Sequence, residues 1–310
     1  MIAHLWSHLD RALSEALGIP LQVQSRQPVG GGSINTTYRL EYQGAKGKQA
    51  FFVKLNRPSR VDMFAAEAEG LGVIAASHTI RVPQPILWGS HDQHSYLVLE
   101  YLDLSGRGSP QAGAQLGYDL AAMHQVQGSR FGWHRDNTIG STPQINTWRE
   151  DWVTFYRQHR LGYQLGLARR YGGTWQNQAQ FVMEHLEIFF QDYQPPPALV
   201  HGDLWGGNYG FLPDDTPVIF DPAVYFGDPE TDLAMTRLFG GFPPEFYQAY
   251  DQVRPPQSGW RERLPLYQLY HLLNHLNLFG SGYLAQVIQT VEHCYHVIQA
   301  RGRDRVIGEG

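Results

Sequence analysis

The segment from Leu199 to Asp221 constrains this chain more than any other, because it sets polar and acidic side chains at fixed spacing beside short apolar runs. It reads LVHGDLWGGNYGFLPDDTPVIFD. The first half has the spacing H-x-D-L-x-x-x-N, which places Asp203 and Asn208 in a loop after an apolar strand. The second half is an apolar run, residues 217–220, that ends at Asp221. Two carboxylates and one amide therefore lie close together in the sequence.

This spacing is typical of kinases, in which the loop carboxylate accepts the proton of the attacking hydroxyl. The loop amide and the second carboxylate of that pattern hold magnesium against the phosphates of ATP. The pattern makes Asp203 the candidate catalytic base, and Asn208 and Asp221 the candidate magnesium ligands. Gly202 stands where protein kinases have Arg. Each half alone fits an ordinary turn, whereas both halves together favour phosphoryl transfer.

A glycine-rich turn precedes this segment in the first part of the chain. Residues 21–55 predict strands, and the turn GGGSIN separates two of them. Glycines let the backbone approach phosphate oxygens and present N–H groups to them. The turn has neither the G-x-G-x-x-G spacing nor a Walker A sequence. The candidate phosphate-binding residues are Gly30, Gly31, Gly32 and Ser33.

One lysine lies inside an apolar strand, FFVKL, and a buried ammonium group needs an anionic partner. This residue, Lys54, occupies the place of the kinase lysine that contacts the phosphates. The helix predicted over residues 59–77 offers two partners, Glu67 and Glu69, which point to different helix faces. Glu67 shares the inward face with Phe64, so the prediction is an ion pair between Lys54 and Glu67.

Two further strands, 86–88 and 96–99, lead into a Gly/Ser-rich stretch at residues 104–110. A strand that ends in a flexible linker before a long helix is typical of a kinase hinge, whose backbone contacts adenine. Glu100, Tyr101 and Leu102 are the candidate adenine contacts, and a plain domain linker is the alternative interpretation. The predicted domains are a nucleotide-binding lobe, residues 1–102, and a catalytic and substrate-binding lobe, residues 103–310.

The second half of the chain predicts mainly helices, after a loop at residues 128–146. The predicted helices cover residues 111–127, 147–170 and 174–192, with two or three more in 243–301. In the segment that follows Asp221, Asp228 or Thr231 can cap a helix that begins near Pro229. Asp232 can instead brace the catalytic loop through bonds from backbone N–H groups.

Composition excludes several classes of partner. The net charge of −5 disfavours nucleic acid as a main partner. No apolar stretch approaches the ~20 residues of a membrane span, so we expect no membrane partner. A single cysteine, Cys294, excludes an internal disulfide and suits a cytoplasmic location. The histidines show no metal-binding spacing, and oligomeric state is not indicated.

The motifs together resemble the fructosamine kinase (ketosamine 3-kinase) family, within the larger aminoglycoside phosphotransferase and choline kinase group. The matching segments cover most of residues 25–245. They include GGGSIN, FFVKLN, MFAAEAEGL, LVLEYL, LGYDLAAMH, FGWHRDNTIGSTPQINTW, LVHGDLWGGN and FDPAVYFGDPETDLAMTRLFGGFP. The segments around Trp205 and Tyr225 are the most specific. Gly206 stands where the family commonly has Ser.

The resemblance implies an α+β, two-lobed protein-kinase-like fold. It implies an enzyme that uses ATP and Mg²⁺ to phosphorylate a sugar hydroxyl of a ketosamine, as in protein deglycation. It gives Asp203 as the base, Asn208 and Asp221 as magnesium ligands, and Lys54 as the phosphate-binding lysine. Trp205 and Tyr225 are the candidate substrate contacts. The partner expected is a small ketosamine or a glycated lysine.

Two other functions fit the same fold. A kinase for an aminoglycoside, choline or another small hydroxyl compound would use the same catalytic residues. A catalytically dead kinase fold used for binding would lack at least one of them. Lys54, Asp203, Asn208 and Asp221 are all present, which disfavours the binding protein.

Overall fold

The computed structural model describes residues 2–30, 34–45 and 47–308, and it describes side chains as far as residue 302. Three of the predicted phosphate-binding residues, Gly31, Gly32 and Ser33, lie outside the described residues. The first elements are α1 (Ile2–Leu17), β1 (Gln22–Val29), β2 (Thr36–Gly44), β3 (Gly47–Asn56), α2 (Val61–Ala76), β4 (Pro85–His91) and β5 (His94–Glu100).

The rest of the described chain is mainly helical, with short strand pairs. Its elements are α3 (Pro110–Met123), β6 (Asn137–Ile139), β7 (Thr142–Gln144), α4 (Trp152–Tyr156), α5 (Gly162–Ala168), α6 (Trp175–Glu184), β8 (Ala198–Val200), β9 (Tyr209–Phe211), β10 (Pro217–Ile219), β11 (Tyr225–Gly227), α7 (Glu230–Leu238), α8 (Pro244–Val253), α9 (Trp260–Phe279) and α10 (Leu284–Gly308). The helix predicted over 147–170 is interrupted by a π-helical turn, Arg157–Leu161.

The fold separates into two compact units that interleave along the chain. The first unit takes Met1–Ala112 together with Tyr209–Pro222, and the second takes Gly113–Asn208 together with Ala223–Gly310. The prediction cuts the chain once, at residue 102, whereas each of these units is built from two separate stretches of chain. The short hairpin of β9 and β10, which carries Asp221 at its end, groups with the N-terminal residues.

An antiparallel sheet forms the centre of the first unit. Among the described residues its strands run in the order β1-β2-β3-β5-β4. Helix α1 is amphipathic and buries Leu5, Leu9 and Leu13, which lie one helical turn apart, on one face. They join a core with sheet residues such as Leu40 and Val53. Burial of each such side chain contributes about 1.5–3 kcal/mol, so this packing fixes the position of β3 and its lysine.

In the second unit, the strand that precedes the candidate catalytic loop lies in the interior. Strand β8 is fully buried and pairs in antiparallel fashion with β11, with Val200 opposite Tyr225. Helix α7 packs against α9, and α10 packs against α9 and α6. The helical character predicted for this half is confirmed, and three α-helices follow residue 243 within the described residues. No helix among the described residues is long and apolar enough to cross a membrane.

Candidate active site

A buried cation with two carboxylates forms the centre of the site in the first unit. The Lys54 Nζ atom lies 2.6 Å from Oε1 of Glu67 and 2.6 Å from Oδ1 of Asp221. Lys54 is 4 % exposed, and it lies on β3 where the strand crosses the core. The structure thus pairs Lys54 with Glu67 rather than with Glu69. It adds Asp221, a contact that the sequence pattern did not predict.

The charges of this cluster stabilise one another. Burial alone would lower the pKa of Lys54, but Asp221 and Glu67 raise it above its ordinary value, so the ammonium group stays charged. Burial raises the pKa of Glu67, the negative charge of Asp221 adds to that rise, and Lys54 opposes it. Two carboxylates share one cation, so the cluster carries an excess negative charge that a second cation would offset.

Asp221 has an unusual backbone conformation. Its φ angle is +59°, in the left-handed region that few residues other than glycine adopt. Such strain costs about 1–3 kcal/mol and is concentrated at functional sites. The strand before it is held by a bond from the Ile219 N–H to the Arg81 carbonyl (3.0 Å). The Asp221 side chain remains 45 % exposed, which leaves it accessible to a ligand.

The predicted hinge lies at the end of β5. The N–H of Glu100 donates to the Gln84 carbonyl (2.8 Å), and the N–H of Tyr101 donates to the Ala50 carbonyl (3.3 Å). The Glu100 side chain accepts from Nη2 of Arg81 at 2.5 Å. Because the Glu100 N–H is engaged, its carbonyl is the group that can meet an adenine. Gly30, which is the one candidate phosphate-binding residue within the described part of the glycine-rich turn, is exposed.

In the second unit, the backbone of the candidate catalytic loop, residues 201–208, requires a glycine at position 202. Gly202 has a φ of +84°, and a Cβ atom there would lie 2.1 Å from the Ala223 carbonyl oxygen. The Ala223 N–H in turn donates to the His201 carbonyl (2.8 Å). The loop and the residues after Asp221 are therefore in backbone contact. An Arg at this position, as in protein kinases, does not fit this backbone.

A buried carboxylate braces the same loop. Asp232, on α7, accepts hydrogen bonds from the backbone N–H groups of His201 (2.7 Å) and Gly202 (2.9 Å). The Nε2 atom of His124 lies 3.1 Å from Asp232, and its Nδ1 atom lies 2.7 Å from the hydroxyl of Tyr250. The brace was one of the roles the sequence suggested for Asp232. His124 and Tyr250 were missed, because nothing in the sequence links them to the loop.

These bonds also set the charge state of the brace. Burial alone would raise the pKa of Asp232, but the bonds from His124 and the loop N–H groups lower it below its ordinary value. Burial lowers the pKa of His124, which therefore stays neutral near pH 7. A neutral His124 with its proton on Nε2 donates to Asp232 and accepts from Tyr250.

Asp203 and Asn208 lie at the two ends of the braced loop. The Asp203 N–H donates to Nδ1 of His201 (3.3 Å), and the Asn208 side-chain N–H donates to the Asp203 carbonyl (2.8 Å). Because the amide nitrogen of Asn208 is engaged within the loop, its Oδ1 is the atom that can act as a metal ligand. Asn208 is buried, at 6 % exposure.

The two predicted substrate contacts, Trp205 and Tyr225, differ in their exposure to solvent. Trp205 is 38 % exposed, and its ring lies over Gly207, where a Cβ atom would come within 2.4 Å of it. Tyr225 is 2 % exposed, and its ring packs between Phe155 and the guanidinium of Arg160. A side chain enclosed in this way cannot be reached by a substrate without opening the core. We therefore assign Tyr225 a packing role and retain Trp205 as the candidate substrate contact.

The donor set fits magnesium better than a transition metal. Among the described residues, no group of three or more His, Cys, Asp or Glu side chains could hold a metal ion. Magnesium is usually bound by one or two protein oxygens together with substrate phosphates and water, so it needs no such group. Asp221 uses Oδ1 for Lys54, and its second oxygen remains for a cation.

Comparison with known proteins identifies close relatives. The model of the family described as "Fructosamine kinase" matches residues 5–297. A probable ketoamine kinase of Synechocystis is 50 % identical over 293 residues, which cover 94 % of this chain and 97 % of the relative. A protein-ribulosamine 3-kinase of Arabidopsis thaliana is 42 % identical over 288 residues, covering 91 % and 86 %.

Solved structures agree on the fold. A candidate fructosamine-3-kinase from Haemophilus somnus aligns with a TM-score of 0.84 at 29 % identity, over 93 % of this chain and 97 % of that one. The aminoglycoside phosphotransferase APH(4)-Ia aligns with a TM-score of 0.62 at 16 % identity, over 94 % and 98 %. The similarity to APH(4)-Ia establishes the fold alone. The two-lobed, protein-kinase-like α+β fold expected from the sequence is confirmed.

Proposed function

This chain belongs to the fructosamine kinase family, and we propose that it is an ATP-dependent kinase that phosphorylates the 3-hydroxyl of ketosamines. The family match over residues 5–297 supports this most strongly, because it spans both parts of the catalytic pattern. A sugar attached to a small amine or to a lysine side chain is the proposed substrate, and glycation repair is the proposed role. The cytoplasm is the proposed location, because the reaction consumes ATP and the chain has one buried thiol, Cys294.

The first unit supplies the proposed nucleotide contacts. ATP provides the phosphoryl group that is transferred, and Mg²⁺ offsets the charge of its phosphates. Lys54 holds the phosphates, and Glu67 keeps its ammonium group in place at 2.6 Å. Asp221 and Asn208 are the proposed magnesium ligands. The carbonyl of Glu100 and the N–H of Leu102, near Tyr101, are the proposed adenine contacts. Gly30, Gly31, Gly32 and Ser33 are the proposed phosphate contacts of the glycine-rich turn.

The second unit supplies the proposed chemistry on the sugar. Asp203 accepts the proton of the 3-hydroxyl as that oxygen attacks the γ-phosphorus of ATP, the bond from this phosphorus to the bridging oxygen breaks, and ADP leaves. Asp232 and Gly202 hold the loop backbone, so Asp203 does not need to be reoriented during the reaction. Trp205 presents a flat, partly exposed ring that suits the C–H face of a sugar. General-base assistance of this kind is typically worth about 10²–10⁴-fold in rate.

The test is ATP consumption by the purified protein with magnesium and four acceptors: ribulose-lysine, fructose-lysine, kanamycin and choline. We expect turnover on a ketosamine, and a loss of about 10²–10⁴-fold in Asp203→Asn while ATP still binds. Asp215→Asn is the matched control, because Asp215 has a φ of +66° that Asn also tolerates. Turnover on kanamycin or choline alone would overturn the substrate class. Near-normal turnover in Asp203→Asn would overturn the base.

A further inference from the structure

A π-helical turn, Arg157–Leu161, separates α4 from α5 and carries a cation into the core of the second unit. The cation is Arg160, which is 0 % exposed. A Cβ atom on Gly162, the residue after the turn, would lie 2.6 Å from the Arg157 carbonyl oxygen, so the turn favours glycine there. Because π-helical turns are rare and are frequent at functional sites, this buried arginine is a candidate for a role in the reaction.

The charge of Arg160 has no anionic partner in the core. Its Nη1 atom donates to the carbonyls of Ile145 (2.7 Å) and His159 (3.1 Å), and its Nη2 atom donates to Oδ1 of Asn146 (2.8 Å). Within the described residues no ion pair within 4 Å includes it. The Tyr225 ring, 4.0 Å away, offsets part of the cost of burial. A neutral side chain of similar volume would still cost less in the core, so stability alone does not account for Arg160.

A chain of three buried carboxamides, which we call the amide chain, leads from this cation to the backbone. Its members are Asn146, Asn137 and Gln144. The Nδ2 atom of Asn146 donates to Oδ1 of Asn137 (2.9 Å), and Nε2 of Gln144 donates to the same oxygen (2.9 Å). At the far end, Asn137 donates to the Val224 carbonyl (2.8 Å) and Gln144 donates to the Ala223 carbonyl (3.0 Å). The amide chain thus holds two successive backbone carbonyls.

The order of donors and acceptors along the amide chain is fixed from both ends. A guanidinium group can only donate, and a backbone carbonyl can only accept. Asn146 therefore turns its oxygen to Arg160 and its nitrogen to Asn137, and Asn137 turns its nitrogen to Val224. A buried charge at the donating end polarises the bonds that follow and strengthens them. Without Arg160, the Asn146 oxygen loses a charged donor inside the core, and the bonds of the amide chain weaken.

The carbonyls that the amide chain holds adjoin the candidate catalytic loop. The Ala223 N–H donates to the His201 carbonyl (2.8 Å), and the Ala223 carbonyl oxygen lies against Gly202. These two loop residues directly precede Asp203 in the sequence. Asp232 bonds to their N–H groups, so the loop backbone has a second support besides Ala223. A displacement of Ala223 would therefore move the backbone that carries the proposed base.

We propose that Arg160 is a positioning residue for the kinase reaction: through the amide chain it holds Ala223, and thereby the loop backbone that directs Asp203. The inference rests on the proposed function, because Asp203 is the proposed base of that reaction. Arg160 is fully buried, so it acts through the loop and contacts neither ATP nor the ketosamine. Its loss should lower kcat, which depends on the direction of Asp203, and leave KM for ATP nearly unchanged.

Steady-state kinetics of Arg160→Met and Arg160→Lys, with ATP and the preferred ketosamine, test this role. We expect Arg160→Met to lower kcat by about 10²-fold, as for a small misplacement of a catalytic group. Arg160→Lys keeps a nitrogen donor for Asn146 and should recover most of that loss. Both variants lose the packing of the planar guanidinium on the Tyr225 ring, so their melting temperatures should fall alike. Unequal kcat at equal stability separates positioning from packing.

Arg157→Met is the matched control, because Arg157 belongs to the same π-helical turn but is not bonded to the amide chain. It donates to the Met183 carbonyl (2.7 Å) and pairs with Glu187 (2.7 Å). The control should leave kcat unchanged. A second variant, Asn146→Asp, breaks the amide chain without removing the cation. It gives Arg160 an anionic partner, so it should fold, but it has no N–H to donate to Asn137. We expect kcat to fall there as in Arg160→Met.

Hydrogen exchange follows the loop backbone without any substrate. In Arg160→Met and Asn146→Asp, amide exchange should be faster than in the unaltered chain in the peptide that covers residues 198–208. Exchange in α6, residues 175–184, should be unchanged and serves as the internal reference. In Arg160→Lys and Arg157→Met, exchange in the loop peptide should stay close to that of the unaltered chain.

Three results would each overturn the proposal: unchanged kcat in Arg160→Met or Asn146→Asp, an equal loss of kcat in Arg160→Met and Arg160→Lys, or unaltered exchange in the loop peptide. If Arg160→Met does not fold, Asn146→Asp decides the question. If the unaltered chain turns over no ketosamine, the proposed function fails, and the exchange measurements still decide whether Arg160 holds the loop.

Discussion

Two buried carboxylate clusters of this molecule are built in opposite ways. In the first unit, Lys54 serves Glu67 and Asp221 together, so negative charge exceeds positive charge, and Asp221 is strained. In the second unit, the negative charge of Asp232 has no cationic partner among these contacts, and it is stabilised instead by hydrogen bonds from neutral His124 and from two loop N–H groups.

This difference indicates which cluster is suited to bind a ligand and which one supports the backbone of the loop. In the Lys54 cluster the strained carboxylate is also accessible to solvent, so a cationic ligand can reach it and offset the excess negative charge. A fully hydrogen-bonded carboxylate gains nothing from a ligand, and it rigidifies the backbone that bonds to it. We therefore expect changes in the Lys54 cluster to act on activity, and changes in the Asp232 cluster to act on stability first.

The largest effect should come from Lys54→Met, which removes the shared cation. We expect kcat/KM to fall by about 10²–10³-fold, as for loss of one donor to a transition-state charge. Unfolding free energy at pH 6 should fall by only about 1–3 kcal/mol, as for one buried group that loses its hydrogen bond, because Glu67 can take up a proton and Asp221 is exposed. Steady-state kinetics and urea denaturation measure the two quantities.

Lys48→Met is the control for this change, since Lys48 lies exposed on the same strand. It should alter neither quantity. If Lys54→Met instead unfolds the protein and Lys48→Met does not, the Lys54 cluster is a structural support and the comparison fails.

Next in size is Gly202→Ala, which forces a Cβ atom against the Ala223 carbonyl at a φ of +84°. We expect a loss of about 2–4 kcal/mol in unfolding free energy, measured by urea denaturation. The control is Gly206→Ser in the same loop, where the nearest atom to an added Cβ is 3.7 Å away. Gly206→Ser should stay within about 0.5 kcal/mol. Similar losses in both variants would show that the loop is uniformly sensitive.

Asp232→Asn tests the comparison of the two clusters at the second one, because it replaces one acceptor oxygen of the carboxylate with an N–H donor. We expect a loss of about 1–3 kcal/mol in unfolding free energy, together with a lower kcat, because the loop that carries Asp203 loosens. Asp119→Asn is the control, since Asp119 on α3 accepts a hydrogen bond from the Gln115 side chain (2.7 Å) and, within the described chain, contacts no part of the loop. A drop in kcat without any loss of stability would give Asp232 a role closer to the chemistry.

The smallest effect concerns pH. Burial lowers the pKa of His271 to about 3, well below the ordinary value of 6.5. Between these values the unfolded chain binds the proton and the folded chain does not, so stability falls as pH drops below 6.5. The loss is about 1.4 kcal/mol per pH unit for one group. His271→Phe should flatten the change in melting temperature between pH 6.5 and 5.

His293→Phe is the matched control for that measurement, because His293 is exposed on α10. It should leave the pH dependence as it is in the unaltered chain. A pH profile that is the same in all three proteins would mean that other groups cause the acid instability.

Much of the site could be predicted because its signals are local. The loop residues Asp203 and Asn208 follow one another at fixed spacing, and helical periodicity alone selects Glu67 over Glu69 for the inward face. The predicted strands of the first hundred residues and the helical second half rest on the same short-range patterns. The interruption of the helix at Arg157–Leu161 was missed, because a π-helical turn leaves little trace in composition.

What the sequence by itself determined is the chemistry that the chain carries and the order in which its elements occur. Only the tertiary structure decided which distant residues meet. Lys54 and Asp221 are 167 positions apart, and His124 and Asp232 are 108 apart. It also buried Tyr225, which the motif had suggested as a substrate contact. The physical reason is that spacing along a chain fixes neighbours only within a turn or a strand, whereas burial and charge pairing depend on how whole elements pack.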